Sequence, residues 1–233
     1  MLDRAKKYLT KHKNFRDKLR NQEIIIETLV SEINKSEEEF KLFEFIVKNK
    51  KISCSRNYSD LVALFYLGKN KSYLEIGAGE PIVGSDTFLL EKEMQWTGIQ
   101  VEPDMQTFFK LQIARPNSIQ INAAMVGDAD KSEYFLDPHT MRLSKKKKNY
   151  TQVQTISLDY IKNISTVNFD ALFIDIEGSE LNVIKSDSFK DFGFKFINIE
   201  RIWNHDQIIQ ILTNYGYRQI GASFSSYSAW FLK

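Results

Sequence analysis

The chain has a single cysteine, Cys54, in 233 residues. That excludes an internal disulfide framework and a cysteine-based zinc cluster. Proline is scarce, at four. No apolar run approaches the roughly 18 residues that a membrane-spanning helix needs. The nearest candidate, Glu23–Val30, carries two glutamates. The basic N-terminus is followed by no apolar core, so a secretory signal is not expected and a cytoplasmic setting is. Charge of one sign is also missing: 32 Lys and Arg stand against 30 Asp and Glu, for a net +2. Such a balance does not announce a nucleic-acid binder. No internal repeat is visible.

What is present suits one globular domain with an appendage. Hydrophobic residues make up 42% and aromatics 13%, enough for a sizeable core. Residues 1–52 read as an N-terminal helical extension, and residues 53–233 as the main domain. The extension opens with a stretch free of Gly and Pro, and Ile24, Leu29, Ile33, Phe40, Phe43 and Ile46 recur at mostly helical intervals. Its first part is basic: Arg4, Lys6, Lys7, Lys11, Lys13, Arg16, Lys18 and Arg20 face only Asp3 and Asp17. A solvated amphipathic helix accounts for this. Contact with a partner subunit, in a homo-oligomer, or with an anionic surface is the alternative.

From Ser72 onward short apolar strands alternate with amphipathic helices. Strands are expected at Ser72–Gly77, Trp96–Glu102, Ser118–Ala124, Ser132–Leu136, Val153–Leu158, Asp170–Ile176 and Phe194–Glu200. Helices are expected at Asp86–Glu93, Met105–Ile113, Glu180–Lys185 and Asp206–Tyr215. The pattern predicts an α/β fold with a mostly parallel sheet. Tyr217–Ala222 and Ser228–Lys233 lie too close together for a crossover helix, so they should pair as an antiparallel hairpin.

Ligands of open α/β sheets bind at the carboxyl ends of the strands, near the switch point. The first strand runs into Gly77-Ala78-Gly79, where glycines let the backbone turn and approach a ligand. Pro81 and Ile82 depart from the G-x-G-x-x-G pattern that a pyrophosphate cofactor needs. A nucleoside cofactor without phosphates fits better, and Glu75 can face its cationic amino-acid end. Glu102 ends the second strand about 23 residues past the turn and can accept both ribose hydroxyls. Ala123 and Ala124 leave room for an adenine ring, and Met125 can pack on its face.

These segments together resemble the FkbM family of class I S-adenosylmethionine-dependent methyltransferases. The resemblance is carried by YLEIGAGEP, SDTFLLEKEMQWTGIQVEPD, INAAMVGDADKSEYF, TISLDYI and FDALFIDIEGSELNVIKS, over roughly Tyr58 to Glu200. Its most specific part is the DxEGxE element, Asp175 to Glu180. The resemblance implies a Rossmann-like sheet of seven strands with the last one antiparallel. It also implies O-methylation, often of sugars, polysaccharides or related natural products. Gly79-Glu80-Pro81 departs from the family's common residues there, and the N-terminal helices lie outside the shared domain.

Methyl transfer to an alcohol needs alignment of three atoms and a base beside the acceptor. Asp175, where the fourth parallel strand should end, is the first candidate base, with Glu177 next; Asp175 also belongs among the cofactor contacts. Carboxylates this close should raise at least one pKa. The same cluster could instead hold a divalent cation, and the sequence leaves metal dependence undetermined. Glu180 is a candidate substrate contact, although helix capping would account for it. Glu200, ending the fifth strand, joins the substrate side, and His205 follows as a third candidate catalytic group. His139 lies in a loop that could cover the site. Lys145 and Lys146, in the run MRLSKKKKNY, are candidate contacts for an anionic acceptor such as an acidic sugar. A nucleic-acid acceptor is not expected: the chain lacks an Asn/Asp-Pro-Pro-aromatic element and interleaved aromatic and basic residues. Two other readings remain: a non-catalytic assembly domain that keeps the fold, and an NAD-dependent oxidoreductase, disfavoured by Ile82.

Overall fold

The computed structural model describes residues 37–128, 132–200, 204–222 and 227–233. Internal contacts divide the chain into two units, Met1–Phe43 and Glu44–Lys233. The basic stretch from Arg4 to Arg20, the positions Ile24, Leu29 and Ile33, and Arg201 lie outside the described residues. Of the expected extension, the described part is the helix Glu37–Asn49.

The strands, in chain order, are β1 (Ser72–Ile76), β2 (Thr97–Val101), β3 (Ile119–Ile121), β4 (Ala124–Met125), β5 (Tyr134–Leu136), β6 (Leu143–Ser144), β7 (Thr151–Val153), β8 (Thr155–Ile156), β9 (Ala171–Ile174), β10 (Phe196–Glu200), β11 (Arg218–Ile220) and β12 (Ser228–Leu232). Among the described residues, seven of them form one sheet in the order β11-β12-β10-β9-β1-β2-β3. β1 pairs parallel with β2 and with β9, and β9 pairs parallel with β10. β12 runs antiparallel to both β10 and β11. This is the Rossmann-like seven-stranded sheet that the resemblance implies, with the expected terminal hairpin.

The central strands are buried along their length, as parallel strands covered on both faces must be. One face is apolar. Leu74, Ile76, Ile99, Leu172, Ile174 and Ile197 alternate onto it. Val183 and Ile184 of the helix Glu180–Lys185, and Ile208 and Leu212 of the helix His205–Asn214, belong to the same cluster. The other face carries an unusual row. In register across the sheet stand Gln100, Glu75, Phe173 and Asn198. Three of these four are polar and buried, and buried polar groups need partners.

Two expected strands do not join this sheet. Ser132–Leu136 contributes β5, which pairs antiparallel with β6 and β7 in a separate sheet. Val153–Leu158 is divided: β8 pairs with β4, and Leu158 already opens the helix Leu158–Ile164. β3 stops short because the Asn122 side chain donates to the carbonyl oxygens of Glu102 and Pro103, at 2.9 and 3.2 Å, and turns the chain away.

Arg115 locks the loop that follows the glycine turn. It is 1% exposed. Its Nε and Nη2 donate to Glu91 Oε2 at 2.8 and 2.6 Å. Nη2 also reaches Tyr73 Oη and Thr87 Oγ1, and Nη1 the carbonyl of Pro81. Burial pushes the Glu91 carboxyl up, but hydrogen bonds from Arg115 and Ser118 hold it below its ordinary value. Among the described residues no helix is long and apolar enough to cross a membrane.

Candidate active site

A cavity of about 640 Å³ opens at the carboxyl ends of β1, β2, β9 and β10. Every residue read from the sequence as a cofactor contact lines it: Glu75, Gly77, Ala78, Gly79, Glu102 and Ala123, with Asp175 beside them. The reason is local. Gly77 has φ 79°, and a Cβ there would stand 1.8 Å from the Asp175 carbonyl oxygen. Only glycine lets the β1 turn pass this close to the end of β9. Gly77 N–H and Ala78 N–H both donate to the Val101 carbonyl, at 2.9 and 3.2 Å, tying the turn to β2.

Glu102 closes the turn from the other side. Its Oε2 accepts from Gly79 N–H at 2.9 Å, and its Oε1 from Asp104 N–H at 2.8 Å. Each carboxylate oxygen keeps a further lone pair, so the group still fits a ribose diol. Pro103, Ala123, Ala124 and Met125 continue the wall with small or apolar surface. Glu75 accepts from Thr87 Oγ1 at 2.8 Å and from Gln100 Nε2 at 2.6 Å, both through Oε2. Burial pushes the Glu75 and Glu102 carboxyls up. These side chains and surfaces fit S-adenosylmethionine: a diol acceptor, an apolar slot for a base, and carboxylates for a cationic end.

Asp175, Glu177 and Glu200 line the cavity beside the glycine turn. One carboxylate oxygen from each lies within 4.8 Å of the others, near enough to surround one cation and to disfavour ionisation of all three together. Glu200 is pushed up to about 9, first by burial, then by its hydrogen bond to Asp175 and the charges of Asp175 and Glu177. Glu177 is raised by burial and by the Asp175 charge.

The turn that presents them explains the DxEGxE string. β9 ends at Ile174, one residue before Asp175, though Asp175 N–H still donates to the Ile76 carbonyl at 3.0 Å. Glu177 and Gly178 both have positive φ, 56° and 109°. Glu180 is 2% exposed and lies outside the lining. Its Oε1 accepts from Ile176 N–H at 3.0 Å and Gly178 N–H at 3.1 Å, which holds the turn shut. Glu180, expected as a substrate contact, thus holds the turn from beneath rather than lining the cavity.

Other expected site residues stand outside the lining. His205 opens the helix His205–Asn214. His139 N–H donates to Asp137 in an exposed turn. Lys145 donates to Ser132 at 2.9 Å and lies over the Tyr134 ring, and Lys146 is exposed. From the MRLSKKKKNY run it is Met141 and Leu143 that reach the cavity. Lys145 to Lys148 lie in the exposed connection between β6 and β7.

Lining residues that the sequence did not single out include Arg56, Asn57, Asp86 and Asn198. Asp86 accepts from Ser55 Oγ and, at 2.7 Å, from Asn198 Nδ2. It is pushed up to about 7, chiefly by burial, with the Glu75, Asp60 and Asp175 charges adding to it. The polar Asn198 in an otherwise apolar strand was the one available signal.

No curated protein matches the chain. Solved structures similar to it include precorrin-6y C5,15-methyltransferase from Geobacter metallireducens, with 15% identity over 76% of this chain and 87% of that one, TM-score 0.45. Another is a TehB-like SAM-dependent methyltransferase from Corynebacterium glutamicum, with 11% identity over 84% and 98%, TM-score 0.44. A third is Aeropyrum pernix fibrillarin with natively bound S-adenosyl-L-methionine, with 12% identity over 77% and 74%, TM-score 0.45. Likeness at this level carries no function across. The family model described as the methyltransferase FkbM domain matches residues 75–219. That span begins at Glu75 on β1 and ends at Gln219 in the terminal hairpin, so it takes in the whole Asp175–Glu200 cluster, and the chain belongs to the FkbM methyltransferase family.

Proposed function

We propose that this methyltransferase transfers a methyl group from S-adenosylmethionine to a hydroxyl of an uncharged sugar, polysaccharide or glycosylated small molecule. The observation that carries the reading is the convergence of the Asp175, Glu177 and Glu200 carboxylates, one oxygen of each within 4.8 Å of the others, at the acidic end of the cavity. When bound, the cofactor supplies an electrophilic methyl carbon on a sulfonium. Glu102 and the Gly77–Gly79 turn hold its nucleoside. Glu200 keeps its proton and presents it to Asp175 as a hydrogen-bond donor, which orients the still-ionised Asp175 carboxylate. Asp175 then takes the proton of the acceptor hydroxyl at its other oxygen, as an alcohol needs to become a good nucleophile. Glu177 and Asn198 offer further hydrogen-bonding groups for a polyhydroxylated acceptor. The acidic rim disfavours phosphates and acidic sugars through like-charge repulsion, which also argues against nucleic acid. The lysines outside the lining take nothing from this.

The test is turnover with labelled methyl donor over a panel of oligosaccharides and nucleotide sugars. Asp175→Asn is expected to lower turnover by at least about a hundredfold while S-adenosylhomocysteine affinity by calorimetry stays close to wild type. Full activity in that variant would sink the assignment.

A cation held by the same three carboxylates is the second reading, favoured by their mutual distance. Dialysis against a chelator separates the two. The proton-sharing reading expects unchanged turnover; loss of turnover that magnesium restores would replace it.

A further inference from the structure

Beyond the Glu102 side, the cavity has a second end that the cofactor must reach. Seven of its lining residues are carboxylates, and among the described residues Arg56 is the lone lining residue with a positive charge. Arg56 precedes the segment matched by the family model, which starts at residue 75. Its position is nonetheless well defined. Gly84 N–H donates to the Cys54 carbonyl at 2.8 Å, and Ser55 forms a parallel bridge with Gly84. Asn57 Nδ2 donates to Ser228 Oγ at 3.1 Å, at the start of β12. The 54–57 loop therefore sits across β1 from β2 and β3, where Glu102 and Ala123 are. Gly84 has φ +85°, and a Cβ on it would lie 2.8 Å from Arg56 Nε. Its missing side chain lets the guanidinium lie directly on the loop after the glycine turn.

Arg56 is also uncommitted. Among the described residues its guanidinium makes no hydrogen bond or ion pair. The nearest acidic partner one would expect, Asp86, has both oxygens engaged by Ser55 and Asn198. If the ribose lies against Glu102 and the base beside Ala123, the amino-acid chain must run back over Gly77–Gly79 toward this loop. It brings a carboxylate of its own into a cavity dominated by carboxylates. A planar guanidinium with a free fork is the group suited to receive it.

We propose that Arg56 holds the carboxylate of the cofactor's amino-acid portion, an inference that rests on the S-adenosylmethionine reading of the same site. Calorimetry with two ligands tests it: S-adenosylhomocysteine, and 5′-methylthioadenosine, which keeps the nucleoside but lacks that carboxylate. Arg56→Gln is expected to weaken S-adenosylhomocysteine roughly ten- to a hundredfold, as for a charged hydrogen bond, and to leave methylthioadenosine unchanged. Arg56→Lys, which keeps the charge without the fork, should fall in between. Glu102→Ala should weaken both ligands. Methylthioadenosine binding by the variants also shows that they are folded. Equal losses for the two ligands in Arg56→Gln, or no loss for either, would overturn the assignment while leaving the cofactor reading intact. A wild-type protein that binds neither ligand would overturn the cofactor reading itself.

Discussion

Glu200 is half-buried, and its Oε2 has no hydrogen-bond partner among the described residues. Beside Asp175 and Glu177 its ionised form is disfavoured, and its proton is held up to about pH 9 against an ordinary 4.5. The folded chain thus binds this proton more tightly than the unfolded chain does. The sign follows from linkage: stability from this group is full below about pH 4.5, falls as pH rises toward 9, and levels beyond. Glu200→Gln keeps the shape and removes the titration. Its melting temperature relative to wild type is expected to climb between about pH 5 and 9. A constant difference across that range would show that Glu200 is not the proton holder. Both Asp175 and Glu200 were visible in the sequence as carboxylates at strand ends. Their proximity was not, because it joins residues 25 positions apart at the ends of adjacent parallel strands.

The glycine turn and the DxEGxE turn meet backbone to backbone, and each depends on the other. Gly77→Ala would drive a Cβ to within 1.8 Å of the Asp175 carbonyl oxygen at a φ of +79°. Backbone cannot step aside as a flexible side chain can. Loss of S-adenosylhomocysteine binding and a lower melting temperature are expected. Gly79→Ala is the control: its φ is +59° but a Cβ there meets nothing within 4 Å. That variant carries only the left-handed strain, on the order of 1–2 kcal/mol, and should retain binding in part. Equal behaviour of the two would refute the close-contact account. At this scale the sequence was a good guide to strands whose apolar runs are buried on both faces. It misjudged Ser132–Leu136 and Val153–Leu158, because the same apolar patterning serves a small separate sheet. Glu180 was ambiguous by nature: a carboxylate at a helix start reads alike whether it caps the turn or faces a ligand.

At the scale of the whole molecule, the buried Arg115–Glu91 pair, 2.6 Å apart, joins the helix Phe88–Met94 to the connection between β2 and β3, and Arg115 also holds the loop before that helix through the Pro81 carbonyl. Removing one partner leaves the other charge buried alone. Arg115→Ala is therefore expected to cost about 3–5 kcal/mol in urea unfolding, and Arg115→Ala with Glu91→Gln should recover part of it. A loss below about 1 kcal/mol would mean the pair is not what holds the loop. The sequence by itself determined the architecture and the glycine-turn and Glu102 part of the cavity wall. Alternating strands and helices, the short spacing before the terminal hairpin, the glycine turn and Glu102 are all local patterns, and local patterns follow from local geometry. Tertiary structure alone decided the rest. It sent the lysines of the MRLSKKKKNY run outward, put Glu180 under the turn, and brought Arg56, Asp86 and Asn198 to one cavity from segments up to 142 positions apart. Long-range pairing of polar side chains leaves no period in a sequence. It becomes legible only when the sheet order, β10 and β9 next to β1, sets which carboxylates stand together at the strand ends.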